Sequence, residues 1–100
     1  MDIKRYAKHM IYNVLKGKSP DAGFEYWFRY TPQQLREHFQ SLFKEGMTWD
    51  NYGKWHMDHV IPQCRFSYIN EEDQGFADCW SLKNLQPLWA EENFKKGKRI

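Results

Sequence analysis

One hundred residues make one domain with a modest core, because a chain this short leaves much of its surface in water. No run approaches the ~20 apolar residues that cross a bilayer, and residues 1–10 carry charges throughout with no signal-peptide core, so an intracellular chain with no membrane association is expected. The net charge of +2 conceals a split: residues 1–18 hold five basic residues against Asp2, residues 95–100 hold Lys95, Lys96, Lys98 and Arg99, and residues 19–94 hold six basic and twelve acidic.

The two basic ends would meet a polyanion together if the fold brings them to one face, and are solvated tails otherwise. Five Trp, six Tyr and seven Phe supply most of the apolar area available to the core. Cys64 and Cys79 form no Cys-x-x-Cys pair, which excludes a four-ligand zinc site built from Cys pairs. In a reducing compartment they are expected to be free and mostly buried.

Ile3, Tyr6, Ala7, Met10, Ile11, Val14 and Leu15 recur at the spacing of one helix face, which predicts a helix from Ile3 to Lys16 ended by Gly17. Lys4, Arg5, Lys8 and Lys16 fall on its other faces. A turn follows through Lys18–Gly23, and the aromatic run 24–30 reads equally as a short strand or a helical turn. Thr31, Pro32 and Gln34 form a capping box that opens a second helix. Leu35, Phe39, Leu42 and Phe43 are its buried face, His38 lies on its flank, and Gly46 is its stop.

Residues 47–54 read as a loop. Trp55 to Ile61 reads as a strand ended by Pro62. A polar connection over 63–83 includes a helical turn near 71–80. Leu85 to Leu88 forms a second strand in which Pro87 requires an edge or a bulge. Ala90 to Lys96 favours helix, stopped by Gly97. Glu91 and Glu92 suit the first turn of that helix, where negative charge is favoured. Trp49 and Trp89 are read as core.

The chemistry concentrates in Trp55-His-Met-Asp-His-Val-Ile-Pro62. A carboxylate is a hard oxygen ligand for a divalent ion, and a neutral imidazole takes a proton from water near physiological pH. An Asp–His pair alone is common and equally describes a core hydrogen bond or a surface dipeptide. The pattern is longer, however: His56-x-Asp58-His59-x-Ile61-Pro62 is followed by Ser81-Leu-Lys-Asn84-Leu-Gln-Pro-Leu-Trp89 and by Glu92-Asn93-x-x-Lys96-Gly97. In order and spacing these three segments closely resemble the HNH endonucleases, the ββα-metal or His-Me finger nucleases, and most of all their compact phage-associated and homing-type members. The resemblance covers about residues 31–97, and the first helix least.

The resemblance implies an α+β fold: a small, mostly helical domain built around a ββα-metal hairpin and helix. Residues 1–46 would be a helical N-terminal part, 47–97 the core and 98–100 a basic tail. It implies a metal-dependent endonuclease that hydrolyses DNA phosphodiesters with one ion, leaving 5′-phosphate and 3′-hydroxyl ends, in a prokaryotic or phage-infected cytoplasm. His59 would be the general base, Asp58 and Asn93 the metal ligands, and Asn84 the amide that braces the hairpin and orients His59. Many relatives carry His at the last position; Asn93 makes the ligand set richer in oxygen, which suits Mg²⁺ or Mn²⁺ better than Zn²⁺, with Ni²⁺ or Zn²⁺ able to substitute in vitro.

Asp58 and His59 point to opposite faces of a regular strand. Both reach one phosphate only if the strand twists or bulges locally or the phosphate sits at its edge, and an irregularity is predicted there. His56 remains open between an extra metal ligand, a phosphate contact and packing. Arg65, Lys83, Lys95, Lys96, Lys98 and Arg99 are candidate DNA-backbone contacts. A binding domain that keeps the hairpin without turnover is the alternative. Double-strand cleavage would call for a two-fold dimer, and site specificity for a targeting partner.

Overall fold

The computed structural model describes residues 2–96. The chain is α+β, with five α-helices and a two-stranded antiparallel sheet among those residues. The predicted Lys98 and Arg99 contacts and the Gly97 stop lie outside them. No described helix is long and apolar enough to cross a membrane.

Helix α1 (Ile3–Leu15) starts where the Asp2 carboxylate accepts the Lys4 N–H at 3.0 Å, an N-cap absent from the sequence reading. Its buried stripe is Ala7, Met10, Ile11, Val14 and Leu15, as the periodicity requires. The ambiguous aromatic run is helical: α2 (Phe24–Phe28) inserts Phe24 and Phe28 into the core and ends on Arg29, whose φ of 64° is left-handed. Helix α3 (Pro32–Ser41) carries the predicted capping box, with Gln34 N–H on Thr31 Oγ1 at 3.0 Å and Thr31 N–H on Gln34 Oε1 at 2.8 Å.

This helix ends five residues before Gly46, because the chain tightens to shorter-range bonds, Leu42 N–H to Phe39 O and Phe43 N–H to Gln40 O. Leu42, expected on the buried face, is therefore 43% exposed. Gly46 instead takes a φ of +93° in the following turn, against the Trp89 ring. A 3-10 turn, Trp49–Asn51, has a second capping box, formed by Thr48 and Asn51.

Strand β1 (Trp55–His59) pairs with β2 (Leu85–Trp89) in a continuous register from Trp55↔Trp89 to His59↔Leu85. The bonds Ala90 N–H to Lys54 O and Val60 N–H to Asn84 O, both 2.8 Å, bracket the ladder. Antiparallel pairs alternate, so 56/88 and 58/86 are hydrogen-bonded pairs and Met57↔Pro87 is not. Pro87 thus forfeits no ladder bond, and the sheet needs no bulge to hold it.

β1 stops two residues short of the predicted Ile61, since the Asn84 side chain, rather than a partner strand, bonds both Ile61 N and Ile61 O. The connection between the strands holds a 3-10 turn (Gln63–Arg65) and helix α4 (Gln74–Cys79). Helix α5 (Ala90–Lys96) follows β2 directly and packs against both strands, with Glu91 and Glu92 in its first turn. Glu92 also bridges to Lys44 at 3.2 Å.

The core lies on the other side of the sheet. Trp55 is fully buried among Phe39, Phe43, Trp49 and Tyr52, and a second aromatic group gathers Phe28, Phe76 and Trp80. Trp49 and Trp89 lie at its margin, partly buried. His38 is a packing residue, its ring Nε2 2.7 Å from Leu85 O. Both cysteines are free, but only Cys79 is buried and Cys64 is exposed.

Within α4, a Cβ at Gly75 would overlap the Ser67 carbonyl oxygen. Helix propensity alone favours alanine there by about 1 kcal/mol. The overlap with backbone outweighs it, and overpacking of this kind costs about 1–3 kcal/mol. Gly75→Ala is therefore expected to lower the thermal midpoint; an unchanged or raised midpoint would show that α4 and the 67 loop separate freely.

Candidate active site

Met57, Asp58 and His59 line one cavity of about 660 Å³ together with Asn93 and Lys96 of α5. Three consecutive strand residues alternate in direction, so a space touched by all three runs along the strand's edge and not over one face. The predicted irregularity does not take the form of a bulge: the register is unbroken through Asp58 and His59. Asp58 and His59 meet because the edge of β1 that does not pair with β2 faces the cavity.

Asp58 is 7% exposed and carries a partner for its charge. Lys96 Nζ stands 2.7 Å from its Oδ2 and 2.9 Å from His59 O, and Gln86 Nε2, directly across the ladder, donates to the same Oδ2 at 2.9 Å. Asp58 therefore already holds a cation, as a buried carboxylate must. Asn93 leans its Nδ2 on Met57 O at 3.5 Å, which leaves the amide oxygen as the atom that could meet a cation. A carboxylate and an amide oxygen on one cavity form a hard-oxygen donor pair that leaves positions for water and phosphate. These donors fit a divalent ion. Among the described residues no group of three or more His, Cys, Asp or Glu could hold a metal.

His59 is 8% exposed, its ring edge-on to Trp80 with centroids 4.6 Å apart. Its Nε2 is buried without a hydrogen-bond partner. Burial pulls the imidazole down to about 4; Asp58 opposes that shift, while Lys8 and Lys96 add to it. The sign for stability follows. A neutral native ring and an unfolded ring that titrates at 6.5 give a contribution present above 6.5 and lost as pH falls through about 4. In EDTA, the wild-type protein is expected to lose stability across that window, and His59→Ala to lose markedly less. Parallel denaturant melts at pH 7 and pH 4.5 check it, and equal losses in the two proteins would contradict it.

Asn84 is 5% exposed and spans the hairpin: Ile61 N–H donates to its Oδ1 at 2.8 Å, while its Nδ2 donates to Cys79 O at 2.9 Å and Ile61 O at 3.2 Å. It fixes the turn that β1 enters immediately after His59.

The remaining predicted residues divide. His56 turns away from this cavity toward a second hollow beside Asn93 and Phe94, its ring 5.8 Å from that of Tyr52. Arg65, Lys83 and Lys95 are exposed and do not line the cavity, whereas Lys96 does. Four contributors were missed. Gln86 needed the strand register to be placed opposite Asp58. Lys4, Arg5 and Lys8 of α1 form the cavity's other wall; the only sequence signal for them was the positive charge of the N-terminal segment.

No family model matches the chain, and no solved structure matches it. The proteins to which it is similar include two from Acanthamoeba polyphaga mimivirus. It is 29% identical over 99 residues to "Uncharacterized protein L426", an alignment covering 98% of this chain and 43% of that protein. It is 43% identical over 47 residues to "Uncharacterized protein L246", covering 46% of this chain and 20% of that protein. The chain thus spans less than half the length of either relative.

Proposed function

We propose that this chain is a divalent-metal-dependent DNA endonuclease of the HNH type. The observation that carries the reading is the convergence of Asp58, His59 and Asn93, from one strand edge and one helix, on a single cavity, with Asn84 bracing the turn that follows His59. Asp58 and Asn93 would hold the ion through oxygen. When bound, Mg²⁺ or Mn²⁺ supplies Lewis-acid stabilisation of the charge that develops on the phosphate and the leaving 3′-oxygen.

His59 does the remaining proton chemistry. Its ring is neutral at pH 7, the state a base requires. With Nε2 shut in the core, Nδ1 is the nitrogen left to take the proton from water attacking the phosphorus. A phosphodiester entering the cavity brings negative charge beside the ring and raises its basicity. Lys96 serves as counterion to Asp58 and as a donor toward the phosphate. The products are a 5′-phosphate and a 3′-hydroxyl.

A labelled duplex oligonucleotide incubated with Mg²⁺ or Mn²⁺ tests the reading through its ends. Metal-dependent products with 5′-phosphate and 3′-hydroxyl termini are expected, and none in EDTA. Binding without cleavage under every metal would favour the non-catalytic binding domain. Full-length relatives more than twice as long leave room for a partner segment or a second copy to supply targeting.

A further inference from the structure

We propose that the basic face of α1, formed by Lys4, Arg5 and Lys8, is a phosphate-backbone clamp that holds the DNA strand flanking the cleaved bond from the side opposite β1. The inference rests on the nuclease reading for the identity of its ligand. Its own support is that these three side chains, all from α1, line the same cavity as Asp58, His59 and Lys96.

Lys4 and Lys8 are one helix turn apart, a rise of ~6 Å along the axis, comparable with the step between neighbouring phosphates of one strand. Arg5 is adjacent and supplies the planar fork that suits a phosphate oxygen pair. All three are exposed, and neither salt bridge among the described residues involves them. Lys4 and Lys8 lie over aromatic rings: Lys4 Nζ is 5.9 Å from the Tyr68 ring centre and Lys8 Nζ 5.4 Å from that of Tyr12.

The two carboxylates on the cavity are already engaged, Asp2 in capping the Lys4 N–H and Asp58 with Lys96 and Gln86. The wall is also rigid. Ala7, Met10, Ile11, Val14 and Leu15 anchor α1 in the core, and Arg36 donates to Val14 O at 2.8 Å. A helix so fixed, presenting unpaired cations to a space lined by the hydrolytic residues, pre-organises an anionic backbone there instead of merely attracting it.

The test is equilibrium binding of a 20-base-pair DNA duplex in EDTA, followed by fluorescence anisotropy across a salt series. It compares wild type, the triple variant Lys4→Ala/Arg5→Ala/Lys8→Ala, and a charge-matched triple away from this cavity, Lys16→Ala/Lys18→Ala/Lys54→Ala. Each lost phosphate contact removes about 0.9 from the slope of log K against log salt. The α1 triple should lower that slope by about 2 to 3 and weaken binding roughly thirtyfold or more near physiological salt, with an unchanged circular dichroism spectrum. The matched triple should retain most of the wild-type slope. Equal effects of the two triples, a slope that the α1 triple leaves unchanged, or no duplex binding by wild type would overturn the clamp. Binding that depends on α1 but never leads to cleavage would leave the clamp standing and remove the nuclease. Cleavage undiminished in the α1 triple would do the reverse.

Discussion

His59→Ala is expected to lower the rate of DNA cleavage roughly 10²- to 10⁴-fold, the range contributed by a positioned general base, while duplex binding in EDTA changes little. The separation follows from geometry. His59 is 8% exposed and contributes almost no surface for a strand to rest on, whereas the cations that line the cavity are untouched. The fold should survive. The substitution removes the edge contact with Trp80 but also removes a buried nitrogen that has no partner, and the two effects on stability have opposite signs. Single-turnover cleavage and binding measured on the same preparation check both halves. A variant that cleaves within a few-fold of wild type would take His59 out of the chemistry.

The second large effect is on stability and centres on Asn84. Asn84→Ala removes three hydrogen bonds, to Cys79 O, Ile61 N and Ile61 O. The bond to Cys79 O, at the end of α4, is buried, and the two to Ile61, just after β1, are part-buried. At about 1 kcal/mol for each bond, the loss is about 3 kcal/mol, which lowers the midpoint of a domain this size by roughly 10–20 °C. Asn84→Asp should be at least as damaging, because it sets a carboxylate against the Cys79 and Ile61 carbonyl oxygens in place of an amide that donates to both. Thermal unfolding of the three proteins checks this. A loss below 1 kcal/mol in both variants would mean that the turn after His59 is held by other contacts.

How far the residues themselves announced this architecture differs from element to element. The Thr31 capping box, the stripe along α1 and the start of α5 were legible because they depend on neighbours within four positions. The hairpin was legible too, and Pro87 marked the edge it occupies. Boundaries set by distant partners were not. Ile61 looks like strand, yet Asn84, 23 residues later, takes its backbone groups. Leu42 looks buried, yet α3 unwinds just before it.

The candidate site divides in the same way. Asp58, His59, Asn84 and Asn93 stand out by residue type and order, but the way Asp58 and His59 share one space was misjudged. An edge cavity needs no bulge, and the presence of an edge depends on how many strands the sheet has. The α1 wall was hidden for a related reason. Lys4, Arg5 and Lys8 read as a solvated helix face, and only tertiary packing brings that face to one cavity with residues about fifty positions away.

The most direct test of the central claim is conversion of supercoiled plasmid by the wild-type protein in Mg²⁺, Mn²⁺, Ni²⁺, Zn²⁺ and EDTA. The account predicts nicked or linear product with Mg²⁺ or Mn²⁺ and none with the chelator. Plasmid that stays supercoiled in every metal, with protein that is folded and still binds DNA, would contradict it.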